Sequence, residues 1–179
     1  MHKAINIEEA IQSDYEAILV LNELAVPHVN SISMDALNHL HAQSISLGVA
    51  HLDGQVAGYL LALDQSGVYT SLNFQWFVRE YTVFTYVDRI VVGSEFRRRG
   101  IAEALYAHLC DKIPQSCPVL TCEVNTKPAN PGSMAFHATL GFEPVGEQST
   151  EQGTKSVCML ANKRYRRNQH STCLPHARQ

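Results

Sequence analysis

Apolar and polar positions change period along this chain, and each change marks an element. Lys3–Ile7 reads as a short first strand. Ile18, Leu21 and Leu24 or Ala25 then recur at helical spacing. Ser13 followed by Glu16 reads as a capping box opening that helix over Asp14–Ala25, and Pro27 stops it. After a linker, Ser33 caps a second helix over Met34–Gln43. Ser46–Leu52 and Gln55–Leu63 read as strands joined by Asp53-Gly54, a hairpin signal. Asp64–Glu80 reads as a long loop, and long loops in small domains are often functional. Val83–Val92 is a β-branched strand. The following helix, ending at Lys112, carries Ile101, Ala104, Leu105 and Leu109 on one face. Val119–Val124 is a fifth strand, and Ser133–Leu140 a short helix with Gly141 past its end. Phe142–Gln148 and Lys155–Leu160 close the pattern as an antiparallel pair.

This order predicts an α+β domain with a mixed, mostly antiparallel central sheet flanked by helices. The fourth and fifth strands, joined through a helix, are the one expected parallel pair, with a right-handed crossover. Strand alternation puts Asp88 and Ile90 on one face and Arg89 on the other. Residues 1–162 read as one domain and 163–179 as a polar, mobile tail.

Composition narrows the function classes. With 179 residues, 45% of them hydrophobic and 17% charged, the chain is the size of one domain and has enough apolar residues for a sizeable core. A net charge of -3 argues against a nucleic-acid binder. No sustained apolar run follows Met1, and none spans a bilayer. Five cysteines without a Cys-x-x-Cys pair read as free thiols in a reducing cytoplasm, with no metal site. His39 and His41, two apart on a helix, face different ways and do not form one either.

The candidate chemistry centres on the turn between the fourth strand and its helix. Arg97-Arg98-Arg99-Gly100-Ile101-Ala102 puts arginines at a helix start, where backbone N–H groups lack partners. That combination binds phosphate or pyrophosphate. Each charge-assisted hydrogen bond contributes about 1.5–3 kcal/mol and the helix dipole about 0.3–1 kcal/mol, so the donors dominate. No Gly-Lys-Ser/Thr follows and only one glycine is present, which excludes a P-loop and a dinucleotide fingerprint.

Arg97-x-x-Gly100-x-Ala102 after Ile90-Val91-Val92 resembles the acetyl-CoA motif of the GNAT N-acetyltransferase superfamily. Asn130 to Phe142, ending in Leu140-Gly141-Phe142, resembles its second landmark. The resemblance spans roughly Ala4 to Leu160. It implies a splayed parallel strand pair that admits acetyl-CoA. Ile90, Val91 and Val92 would then bond the pantetheine arm through their backbone, and Arg97, Arg98, Arg99, Gly100, Ile101 and Ala102 would hold the pyrophosphate. Asn125, Asn130, Ser133 and Phe136 are further cofactor contacts on this reading, although Ser133 also suits a helix cap.

The implied reaction is direct acetyl transfer to a primary amine, without a covalent nucleophile. It needs a base for the amine and a donor for the leaving thiolate. Many relatives place a tyrosine where this chain has His137, so His137 is the candidate donor, with Tyr106 and Tyr86 in reserve. Asp88 and Glu123 are the candidate bases. Tyr69, Phe74, Trp76, Phe77 and Tyr81, with Arg79, suggest an acceptor pocket, because aromatic faces suit an amine cation and Arg79 a carboxylate. That composition favours a small-molecule amine, while an amino acid, an aminoglycoside or a protein N-terminus stays open. A homodimer is one assembly the resemblance brings in. The alternative reading is a catalytically weak acyl-CoA-binding or regulatory module, kept open by His137.

Overall fold

The computed structural model describes residues 5–150 and 153–165. Its strands are β1 (Asn6–Glu9), β2 (Ser46–Leu52), β3 (Gln55–Asp64), β4 (Thr85–Val92), β5 (Leu120–Lys127), β6 (Glu143–Thr150) and β7 (Lys155–Asn162). They form one sheet in the order β1-β2-β3-β4-β5-β7-β6. Every pairing is antiparallel except β4 with β5. The α+β class, the mixed sheet and its parallel pair are therefore as the pattern predicts.

Helices cover both faces. On one lie α1 (Tyr15–Leu24), α2 (Met34–Gln43) and α3 (Leu72–Glu80). Ile18, Leu21, Leu37, Leu40, Phe74 and Phe77 pack there against Val49, Tyr59, Leu61 and Tyr86. On the other lie α4 (Ile101–Lys112) and α5 (Pro131–Thr139). Ile101, Leu105 and Leu109 pack there against Ala50, Leu60, Val87 and Cys122, and Met134 and Phe136 of α5 join them. Neither helical layer can bury its apolar stripe without the sheet, so the two cores hold the strands from both sides.

Several details depart from the sequence pattern. The start of α1 is not a Ser13/Glu16 box: Asp14 ends a preceding single turn, and its Oδ2 accepts the Ile11 N–H at 2.9 Å. Leu24 is 79% exposed, so the stripe of α1 is Tyr15, Ile18 and Leu21, and of the two alternatives it is Ala25 that continues it against the core. Residues 64–80 are not a loop throughout. Ser71 Oγ accepts the Phe74 N–H, and Phe74 and Phe77, three apart, bury completely, so α3 forms. Within the expected 163–179 tail, Tyr165 is buried and donates to the Cys117 carbonyl at 2.9 Å. The rest of the expected tail, 166–179, lies outside the described residues.

Candidate active site

The parallel pairing of β4 and β5 runs only from Thr85↔Leu120 to Val87↔Cys122. Beyond it the two strands diverge, and a cleft of about 810 Å³ opens between them. Residues 88–92 of β4 and 122–125 of β5 line it. Unpaired strand edges offer backbone N–H and C=O groups to an extended ligand, as an added strand would use them.

At the end of β4 the chain turns into α4. Arg98 and Gly100 both adopt left-handed backbone, with φ of 59° and 79°. A Cβ at residue 100 would meet nothing within 4 Å, so glycine is required there by backbone conformation and not by crowding. Arg97 and Arg98 line the cleft, and Arg97 Nε donates to the Val92 carbonyl at 3.4 Å. Arg99 turns away, its guanidinium 5.9 Å from the Phe96 ring centre. Ile101 is buried in the core.

A β-bulge decides what faces the cleft. On β3, Leu61 pairs with Arg89 and Ala62 with Val87, leaving Asp88 without a partner. One extra residue reverses the alternation after it. Tyr86 and Val91 consequently pack toward α1–α3, while Val87, Ile90 and Val92 pack toward α4 and α5. The expectation that Asp88 shares a face with Ile90, and opposes Arg89, fails for this reason. Arg89 Nε donates to Asp88 Oδ2 at 2.7 Å. Its Nη1 donates to Asn22 Oδ1 at 2.8 Å and to the Asn30 carbonyl at 3.2 Å. Tyr59 Oη also donates to Asn22 Oδ1, and Lys155 Nζ to Asn30 Oδ1. This network ties the α1–α2 connection to β4 and to the β6–β7 hairpin.

Glu123 stands across the split on β5. Its Oε1 accepts from Asn73 Nδ2 at 2.9 Å and from Tyr86 Oη at 3.0 Å, and its Oε2 has no hydrogen-bond partner. Burial and then the negative charge of Asp88 push its carboxyl up to about 7, against the smaller opposing effect of those two donors. A carboxyl in that range takes a proton readily near neutrality.

His137 is buried on the opposite side of the sheet. Its Nδ1 lies 2.8 Å from the Ser133 carbonyl, which can only accept, so Nδ1 carries the hydrogen. Its Nε2 then accepts from Tyr106 Oη at 2.8 Å. Burial holds its pKa below the ordinary histidine value. The ring is thus a neutral imidazole with its one N–H already used. Direct proton donation from His137, expected from sequence position, has no free hydrogen behind it.

The acetyltransferase (GNAT) family model matches residues 8–142, well over half of the chain. This chain belongs to the GNAT family. It is 24% identical over 143 residues to an N-alpha-acetyltransferase of Sulfurisphaera tokodaii, covering 80% of this chain and 83% of that one. Among solved structures it resembles Arabidopsis thaliana Naa50 in complex with the bisubstrate analogue CoA-Ac-MVNAL (TM-score 0.68, 14% identity, 88% of this chain and 97% of that one). It also resembles yncA, a putative acetyltransferase from Salmonella typhimurium, with acetyl-CoA (TM-score 0.67, 16% identity, 98% of each chain). The chain is an N-acetyltransferase that uses acetyl-CoA.

As a GNAT protein its predicted site residues fall into two groups. Asp88, Ile90, Val91, Val92, Arg97, Arg98, Ala102, Glu123, Asn125, Asn130, Ser133, Phe136 and His137 all line the cleft. Two amides there are partly committed: Asn125 Nδ2 donates to the Pro27 carbonyl, and Asn130 Oδ1 accepts the Ser133 N–H. Asn130, not Ser133, therefore caps α5. The other group lies elsewhere. Phe77 is fully buried, with Tyr81 stacked on it, and Trp76 packs edge-on to Phe77 and against Gly146 of β6. Arg79 is exposed beside Gln65 and Thr82, outside the cleft. Sequence reasoning missed Asn22, Asn73 and Lys155, which line or brace the cleft. Only Ser71 as a cap, with Phe74 and Phe77 three apart, could have signalled the helix that carries Asn73. Among the described residues no helix is long and apolar enough to cross a membrane.

Proposed function

We propose that the chain acetylates the α-amine at the end of a polypeptide, with Glu123 as the base. The observation that carries this is Glu123 itself: a buried carboxyl titrating near neutrality, with Oε2 unbonded, in the split between β4 and β5. The amine approaches from the α1–α3 side, where Asn73 and Tyr86 orient Glu123. Acetyl-CoA lies along the diverging strands, with its pyrophosphate on the Arg97–Arg98 turn. The amine nitrogen attacks the thioester carbon, its proton passes to Glu123, and the thiolate leaves.

Two observations favour a polypeptide end over a small molecule. Of the residues behind the small-amine reading, Trp76, Phe77, Arg79 and Tyr81 do not line the cleft, and Tyr69 alone among its aromatics does. The Sulfurisphaera tokodaii relative is named for N-alpha acetylation, and the Naa50 structure holds a peptide-derived analogue. The test is thiol release from acetyl-CoA with a panel of short peptides of varied first residue, set against free amino acids, polyamines and aminoglycosides. Turnover on peptides, lost when the N-terminus is blocked, supports the reading. Turnover only on small amines overturns the acceptor, and no turnover on any acceptor overturns the catalytic role of the site.

A further inference from the structure

The leaving thiolate needs a hydrogen-bond donor, and His137 has none to give. The cleft passes through the sheet, and its two sides carry different groups. Glu123 is oriented from the α1–α3 face by Asn73 and Tyr86. The Arg97–Arg98 turn and α5 lie on the other face, where the CoA moiety would sit. Ser133 lies on that second face, one turn before His137 on α5, and lines the cleft.

The hydrogen positions around Ser133 follow from its neighbours. The Ser133 carbonyl can only accept, so the imidazole hydrogen is on Nδ1 and Tyr106 Oη donates to Nε2. That N–H is shared between the Ser133 carbonyl at 2.8 Å and Ser133 Oγ at 3.3 Å. The hydroxyl oxygen therefore accepts from the ring, and its own hydrogen is not used by it. The ring is boxed edge-on by Tyr106, Phe136 and Phe142, so it cannot swing away. A hydroxyl that accepts one hydrogen bond becomes a better donor of its own.

We infer that Ser133 Oγ–H is the hydrogen-bond donor to the departing CoA thiolate, with His137 and Tyr106 as positioning residues that aim it. The inference rests on the acetyl-transfer reading of the cleft given above. In the step, the C–N bond forms as the C–S bond breaks, and sulfur keeps the electron pair. The amine proton is on Glu123. Ser133 keeps its proton and stabilises the thiolate until solvent protonates it.

The test compares the native chain with Ser133→Ala and Ser133→Thr. The first readout is the ultraviolet thiolate absorbance of bound CoA, titrated with pH. Native protein should hold the bound thiol below free CoA in pKa. Ser133→Ala should make it titrate about one pH unit higher, and Ser133→Thr should restore it. The second readout is turnover at saturating acetyl-CoA, which should fall about tenfold to a hundredfold in Ser133→Ala with acetyl-CoA affinity unchanged. His137→Phe, which removes the aiming N–H, should move the titration in the same direction. A bound thiol that titrates identically in native and Ser133→Ala protein overturns the inference. If that variant also keeps native turnover, the acetyl-transfer reading survives and only the role of Ser133 is lost. If native protein neither binds acetyl-CoA nor releases thiol, both fail together.

Discussion

Asp88 and Arg89 are neighbours in sequence, yet their side chains meet on one face of β4, with Arg89 Nε 2.7 Å from Asp88 Oδ2. In a regular strand they would point to opposite faces. The bulge that brings them together places a carboxylate close enough to Glu123 to raise its pKa. Replacing Asp88 with Asn removes that negative charge, so Glu123 should ionise at lower pH. On the proposed mechanism Glu123 must be ionised to act, so the acidic limb of kcat/KM, expected near pH 7 in the native chain, should move to lower pH. Arg89 is left as a buried cation without its counter-ion, so unfolding stability should fall by about 3–5 kcal/mol. A pH–rate profile taken below the lowered Tm checks the first expectation, and denaturant unfolding the second.

Glu123 should also trade stability for activity. Its pKa is higher in the folded chain, about 7, than in an unfolded one. Between those two values the folded state binds a proton that the unfolded state has lost. Stability therefore falls as pH rises through that window, by roughly 3 kcal/mol in total. Glu123→Gln keeps an oxygen for Asn73 and Tyr86 but has no charge to bury. It should be more stable than the native chain at pH 7 and above, with a flatter pH dependence, and should lose most turnover. Urea unfolding at several pH values, beside a thiol-release assay, measures both.

The three arginines of the turn should not be equivalent. Arg97 and Arg98 line the cleft, whereas Arg99 sits against Phe96. Arg97→Ala or Arg98→Ala should each weaken acetyl-CoA binding by about 1.5–3 kcal/mol, with Arg99→Ala close to native. Gly100→Ala forces a side chain into left-handed backbone and should destabilise the start of α4 by about 1–2 kcal/mol. Calorimetry with acetyl-CoA and thermal unfolding separate these effects.

Phe77 offers a contrast between core and pocket. It is fully buried between α3 and the sheet, in ring contact with Phe84 and Tyr86. Phe77→Ala should cost about 3–5 kcal/mol of stability, visible as a lower denaturant midpoint. A change confined to acceptor KM, with stability intact, would put Phe77 in the acceptor site instead.

Much of the fold follows from local pattern. Ile18 and Leu21, Leu105 and Leu109, and the β-branched run ending at Val92 give helices and strands whose types local physics settles. Asp53-Gly54 closes a hairpin by backbone preference alone. The Arg97–Ala102 turn was legible because a helix start with nearby cations is itself a local feature. Asp64–Glu80 was misread because its turn residues outnumber its periodic ones. Its helix is secured by burying Phe74 and Phe77, a gain that exists only once the sheet is there.

The sequence by itself determined the element types, the single parallel crossover and the basic turn at the start of α4, because each depends on residues close together along the chain. Tertiary structure alone decided the site chemistry. The bulge at Asp88 needs β3 as its partner, and the proton affinity of Glu123 depends on burial and on a charge from another strand. The Ser133 carbonyl on the same helix fixes the hydrogen of His137 on Nδ1, but Tyr106, 31 residues away, reaches its Nε2 only once α4 and α5 pack together. Electrostatics and hydrogen bonding act through space, and spacing along the chain does not reveal which groups will be neighbours.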